Sequence, residues 1–272
     1  KHGMKRFFFS AMMLLLAIVL PVRAERNPAS LVALAERIGG PGTAEKFTFI
    51  LEPLQESQAE TFVIGREDGR VLIKGNSLSA LTTGLGWFLN HHLKVNISWN
   101  SLNEGKPGQP YADLSNVEQV KADAETRSSD ARYRYYLNYC TFGYSMTTWT
   151  WDRWQREIDW MALHGVNLSL ALTGAEMVWK NVLTKLGYSK DEINAFVSGS
   201  GFTAWWLMNN LEGWGGPNPD SWYVQQAELQ KKIVKRMREY GIHPVLPGYC
   251  GMVPHNAKEK LGLNVADPGL WC

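Results

Sequence analysis

The chain has 272 residues, of which 45% are hydrophobic and 20% charged, with a formal net charge of +2. That balance suits a packed core and excludes a long disordered tail or a strongly basic nucleic-acid-binding surface. Its twelve tryptophans exceed ordinary usage and cluster with other aromatic residues between Tyr133 and Trp206. Such rings either fill a core or stack on flat apolar ligand faces, and for a single tryptophan the core is the commoner role.

At the N-terminus, Lys5 and Arg6 precede the apolar run Phe7–Leu20, and Val22–Ala24 supplies small residues before Glu25. A basic n-region, a short h-region and such a site predict a signal peptide over residues 1–24, with upstream read-through before Met4. The mature protein is then expected to begin near Glu25, outside the cytosol, in the periplasm, at the cell surface or secreted. The apolar run is shorter than a comfortable bilayer span, so no membrane association is expected after cleavage.

Residues 25–100 read as a small α/β domain. The stretch SLVALAERIGG predicts a helix from an N-cap at Ser30 to a Gly39–Gly40 stop, with Leu31, Leu34, Ala35 and Ile38 on one face. KFTFIL reads as a strand, and TFVIGREDGRVLIKG as a hairpin turning at Asp68–Gly69. NSLSALTTGLGWFLNHHL then predicts a helix and KVNISW a further strand. From residue 101 to 130 the chain turns polar around Gly105, Pro107, Gly108 and Pro110, which predicts a linker.

After the linker the rhythm changes. RYRYYLNYC is strand-like, and WDRWQREIDWMALHG is an amphipathic helix with Trp151, Trp154, Ile158, Met161 and Ala162 on one face. Arg153, Arg156, Glu157 and Asp159 are expected on the opposite, solvated side. VNLSLAL is a continuous apolar run of the buried parallel-strand kind. The helical stretches EMVWKNVLTKLG and KDEINAFVSG follow it, and the turn-rich NNLEGWGGPNPDSW then leads to the helix YVQQAELQKKIVKRMREYG. HPVLPGYC is a third buried strand. Strand–helix–strand–helix–strand is the opening of a (β/α)8 barrel, in which ligand-contacting residues sit just after the strands. The fold expectation is therefore α/β: a small N-terminal domain followed by an incomplete (β/α)8 TIM-type barrel over residues 131–272.

Several features read as structural. The cysteines Cys140, Cys250 and Cys272 form no C-x-x-C pair, so neither zinc nor redox chemistry is indicated. The KKIVKRMRE run reads as a solvated helix face. The sequons at Asn96 and Asn167 lie in expected strands and read as chance matches.

RYRYYLNYCTFGYSMTTWTWDRWQREIDWMALHGVNLSLALTGAEMVW, GFTAWWLMNNLEGWGGPNPDSW and HPVLPGYCGMVP together resemble the α-N-acetylglucosaminidases, glycoside hydrolase family 89. The likeness runs from about Arg132 to Cys272, and residues from about Ala29 to Trp99 resemble the small N-terminal domain of that family. The resemblance implies removal of terminal α-linked N-acetylglucosamine from glycans, with net retention and with no metal or other cofactor. It also implies a sugar pocket lined by Asn138, Cys140, Tyr144, Trp205 and Trp271. An amide can both donate to and accept from sugar hydroxyls or an acetamido group. A thiol offers a small polarisable wall, and the aromatic rings offer stacking faces.

Retaining glycosidases need two carboxyl groups about 5–5.5 Å apart. In the resembled family both are glutamates on later barrel strands, so the resemblance puts them beyond Cys272 and this stretch is expected to be inactive by itself. Glu176, just after the second barrel strand, is the tempting substitute, and a structural role is the stronger expectation for it. Two other readings stay open: a non-catalytic sugar-binding remnant, and a hexosaminidase of other linkage specificity.

Overall fold

The computed structural model describes residues 24–52, 58–100, 106–121, 123–249 and 251–266. The expected signal peptide therefore lies outside the described residues, and so do Cys250, Trp271 and Cys272.

The N-terminal unit is built on a mixed sheet of five strands in the order β1-β2-β4-β3-β5. These are β1 (Glu25–Arg26), β2 (Phe47–Leu51), β3 (Glu60–Glu67), β4 (Arg70–Gly75) and β5 (Glu125–Ser129). β2 and β4 run parallel, while β3 is antiparallel to both of its neighbours. Alternate residues point to one face, so Phe47 and Phe49, Phe62 and Ile64, and Val71 and Ile73 form a continuous buried layer. The β3–β4 hairpin turns at Asp68 and Gly69, both with positive φ (48° and 79°), the requirement of a type I′ turn.

Helix α1 (Ala29–Gly39) buries Leu31, Leu34, Ala35 and Ile38, the face that periodicity selects, and ends at Gly40 with φ 89°. It starts one residue before the expected cap: Pro28 precedes it, and no side chain caps it. Helix α2 (Leu78–Trp87) is capped by Ser77, whose side chain accepts from the Ala80 amide.

Two expectations fail in this unit. Residues 94–98 form no strand; the backbone turns helical again at Trp99. The edge position is taken instead by β5, from within the expected linker, which pairs with β3 in the register Phe62↔Arg127. Leu114 and Val117, also from the expected linker, are buried in the core.

The second unit holds a parallel sheet in the order β6-β7-β8: β6 (Tyr135–Tyr136), β7 (Leu168–Leu170) and β8 (His243–Val245). Helices α3 (Tyr139–Gly143) and α4 (Trp151–Leu163) lie between β6 and β7. Between β7 and β8 come α5 (Ala175–Lys185), α6 (Lys190–Phe196), α7 (Thr203–Leu207) and α8 (Asp220–Glu239). The short α9 (Ala257–Leu261) follows β8. In-register parallel strands joined by helical crossovers are the first part of a (β/α)8 barrel, as the sequence predicts. The KKIVKRMRE face is solvated as expected at Lys231, Lys232 and Lys235, while Ile233 and Met237 are buried.

Helix α4 corrects the amphipathic reading. Trp154, Ile158, Met161 and Ala162 are buried as expected, but so are Arg156, Glu157 and Asp159. Their side of the helix meets the N-terminal unit rather than water. Asp159 accepts from Arg37 at both oxygens (2.7 and 2.9 Å), from the Tyr111 hydroxyl (2.6 Å) and from the Tyr240 hydroxyl (2.8 Å). Burial works against the charge on Arg37, but the bonds and the negative charge of Asp159 outweigh it and raise the guanidinium pKa. Glu157 accepts from the Trp99 indole (2.8 Å) and from Arg153 (2.9 Å). Farther along the interface, Glu60 of β3 pairs with Arg134, and Asn167 donates to the Arg132 carbonyl (2.9 Å). Asn167 is thereby buried, whereas Asn96 lies exposed in an irregular segment.

Helix α2 is wedged between the sheet and α4, and two glycines make the room. A Cβ on Gly84 would meet Ile73 at 2.9 Å, and one on Gly86 would sit 1.9 Å from the Leu163 carbonyl oxygen. Gly86→Ala is therefore expected to force the two units apart and cost about 3 kcal/mol. Gly65→Ala, where a Cβ meets nothing within 4 Å, should change stability by less than about 1 kcal/mol. Denaturant midpoints of the two variants of the full-length protein are the check, and equal midpoints would contradict the wedge.

Candidate functional site

The C-terminal ends of β6, β7 and β8 open on one side of the parallel sheet. Asn138, Cys140 and Tyr144 come from the segment immediately after β6. Leu137 has a positive φ of 76°, which ends the strand at once and turns the chain outward. Asn138 then caps α3: its side-chain oxygen accepts from the Thr141 amide at 3.2 Å, and the Thr141 hydroxyl donates to its carbonyl at 2.8 Å. The Asn138 amide NH2 has no partner among the described residues, and the residue is exposed. It ties down a loop and still has donors to offer.

Cys140, on α3, is a free, half-buried thiol. Tyr144 terminates α3 and is 67% exposed. Its ring meets that of Trp205 edge to face, with centroids 5.5 Å apart and planes at 79°. Trp205 lies on α7, which packs closely on α3 at Gly143. A Cβ there would stand 3.3 Å from Ala204 and 3.5 Å from the Trp205 indole nitrogen. The structure thus brings Tyr144 and Trp205 together and puts Asn138 and Cys140 on the same short helix segment as Tyr144. Trp271 lies outside the described residues.

The platform rests on a packed aromatic layer. Phe142 of α3 meets Trp154 of α4 (5.8 Å), and Trp154 meets Trp149 (5.3 Å). Trp206, the neighbour of Trp205, is fully buried against Phe196 and Trp179. Adjacent tryptophans on α7 therefore divide the work, Trp206 anchoring the helix in the core and Trp205 reaching the surface. At the end of β8, Tyr249 is 74% exposed and lies 6.4 Å from Trp179. The sequence reading takes Tyr249 into a third buried strand, whereas the strand ends at Val245, and Tyr249, directly after Pro247–Gly248, stands exposed.

Glu176 does not reach the opening. It is 4% exposed in the first turn of α5, beside a small cavity of about 30 Å³. Burial raises its pKa to about 7, partly opposed by bonds from its own backbone, the Thr203 side chain and the Gly174 backbone. A carboxyl sealed in this way has no path to a sugar on the surface. The adjacent acidic pair Asp191–Glu192 is structural as well: Glu192 completes the capping box of α6 with Ser189 and pairs with Lys260 at 2.7 Å.

Fold and site together define the first part of a (β/α)8 barrel preceded by a small α/β domain. Residues 134–272 match the profile of the alpha-N-acetylglucosaminidase tim-barrel domain, and residues 29–107 match that of the alpha-N-acetylglucosaminidase N-terminal domain. The chain belongs to the alpha-N-acetylglucosaminidase family, glycoside hydrolase family 89. It is 36% identical over 250 residues to the human alpha-N-acetylglucosaminidase, covering 90% of this chain and 33% of that protein. The family 89 glycoside hydrolase from Clostridium perfringens, solved in complex with 2-acetamido-1,2-dideoxynojirmycin, is 35% identical with a TM-score of 0.77. That match covers 86% of this chain and 26% of the clostridial one. A Glu→Gln variant of the clostridial enzyme, solved in complex with its substrate GlcNAc-alpha-1,4-galactose, matches equally well (35%, TM-score 0.77, the same coverage). The chain therefore spans about a third of the human relative and about a quarter of the clostridial one.

Proposed function

We propose that this chain is the N-terminal part of an exported glycoside hydrolase that removes terminal α-linked N-acetylglucosamine from glycans with retention of configuration. Family membership supports the reaction class, and the complex of the clostridial relative with GlcNAc-alpha-1,4-galactose supports the substrate class. The observation that carries the reading furthest is the Tyr144–Trp205 pair standing beside Asn138 and Cys140 at the end of β6. Two rings at right angles leave an apolar corner against which one sugar face can rest, while the Asn138 amide supplies polar contacts to a neutral hydroxyl or acetamido group. Trp271 is assigned to the same pocket on the resemblance.

In this reading the chain supplies binding and orientation, and the chemistry comes from a nucleophile and an acid/base on barrel strands that follow β8. Retaining cleavage requires two facing carboxyl groups, and Glu176 is sealed beneath the platform. Export is supported by the basic residues, apolar run and small-residue site that precede Glu25.

Asn138→Ala, made in the full-length enzyme, tests this reading. Loss of one hydrogen bond to a neutral group is worth roughly 0.5–1.5 kcal/mol, so kcat/KM for an aryl α-N-acetylglucosaminide is expected to fall by about 2- to 12-fold. Trp205→Ala should act mainly through KM, at about 0.5–1.5 kcal/mol for the lost ring contact. Unchanged kinetics in both variants, with unchanged folding, would leave Asn138 as a helix cap only and remove the platform from the active site.

A further inference from the structure

The platform helices α3 and α7 have a buried acid directly beneath them. The small cavity beside Glu176 is lined by Phe142 of α3, by Met146 and Thr147 of the segment leading to α4, and by Thr203, Ala204 and Leu207 of α7. Its floor is the end of β7 and one face of α8, including Gln226. The two elements that carry Tyr144 and Trp205 thus roof one small chamber, and Glu176 is its one titratable lining residue among the described residues. The carboxyl is fully enclosed, and its Oε2 atom has no hydrogen-bond partner among the described residues.

We propose that Glu176 is a positioning residue for the sugar platform: its neutral carboxyl keeps α3 and α7 closed over the chamber, and its ionisation loosens them. The proposal rests on the sugar-platform reading above. A neutral carboxylic acid can sit buried among hydroxyl and amide side chains, here Thr147, Thr173, Ser200, Thr203 and Gln226, and donate a proton to a neighbouring oxygen. An unpaired carboxylate in the same place draws water and pushes the roof outward, because a buried charge must be solvated or paired.

The ionisable group facing Glu176 from α8 is the Tyr223 phenol, whose own pKa is raised, first by burial and also by the Glu176 charge. Lys180 of α5 lies over the Tyr223 ring at 4.5 Å and pairs with Asp220 at 2.6 Å. No cation on the described elements is paired with Glu176, so only the bonds from Thr203 and from the Glu176 and Gly174 backbone offset the charge once it forms, and burial outweighs them.

The sign of the effect follows. With its pKa raised from 4.5 to about 7, Glu176 is neutral in the folded protein at pH 6 and ionised at pH 8. Sugar binding that favours the closed roof therefore weakens as pH rises through about 7. Above that pH, binding also takes up protons, because the bound state restores the neutral acid.

Isothermal titration of the full-length enzyme with PUGNAc, an uncharged ligand with which the clostridial relative has been solved, reads both effects. In the wild type the Kd is expected to rise several-fold between pH 6 and pH 8, with net proton uptake at pH 8 shown by the dependence of the heat on buffer. Glu176→Gln, which is neutral at every pH, should flatten the Kd and lower that proton uptake. Thr203→Val removes a contact that favours the ionised form and should move the transition to higher pH. A Kd and proton uptake that vary with pH alike in wild type and Glu176→Gln would overturn the proposal, as would a Kd constant with pH in the wild type. A folded wild type that does not bind PUGNAc would instead remove the α-N-acetylglucosaminidase reading. In that case infrared titration still decides the state of the acid. A protonated carboxyl band present at pH 6, lost by pH 8 and missing in Glu176→Gln is expected, and no such band in the wild type would overturn the proposal.

Discussion

The carboxylate of Asp159 is the most heavily bonded link between the two units of this chain. It is completely buried, and taking such a charge out of water costs several kcal/mol unless it is fully bonded. The bonds come from three separate places: Arg37 on α1, Tyr111 from the segment between α2 and β5, and Tyr240 just past α8. Arg37 also donates to the Tyr240 hydroxyl, which closes a ring of buried polar groups. No one element can satisfy Asp159 alone. The first barrel helix is therefore completed only when the N-terminal unit is docked against it.

This constraint reaches the site through α4. One side of that helix carries Asp159 and Glu157 into the inter-unit interface; the other carries Trp154 into the aromatic layer under Phe142. Phe142 belongs to α3, so the position of Tyr144 depends on a helix whose far side is held by another domain. Trp206, buried against Phe196 and Trp179, fixes α7 in the same way from below. The exposed Tyr144 and half-buried Trp205 are the surface end of two buried anchors. Rigid placement of this kind lets an aromatic face contribute to binding without an entropy cost at the moment of contact.

Much of the fold was legible because local patterns matched the tertiary partners. The apolar face of α1 and the Asp68–Gly69 turn could be read directly, since each depends on residues a few positions apart. β5 was not legible: ETRSS is polar and largely exposed, as an edge strand can be, and carries no alternation to detect. KVNISW has strand-like letters but no free edge to join, because β1 and β5 occupy both ends of the sheet. The burial of Asp159 was invisible for a related reason, as its partner Arg37 lies 122 residues away. At the site, strand-end position alone marked Asn138 and Cys140, and only the family resemblance singled out Tyr144 and Trp205. That the pair would meet edge to face depends on the packing of α3 against α7, which no periodicity reports.

The most direct test of this dependence is hydrogen exchange on the protein with Asp159→Asn, which keeps the shape of the side chain and removes its charge. The account predicts that protection falls together in α1, in the last turn of α8 and in α3, because all three are tied through one buried carboxylate and the helix that carries it. Loss of protection confined to α4, with α1 and α3 as protected as in the wild type, would contradict it.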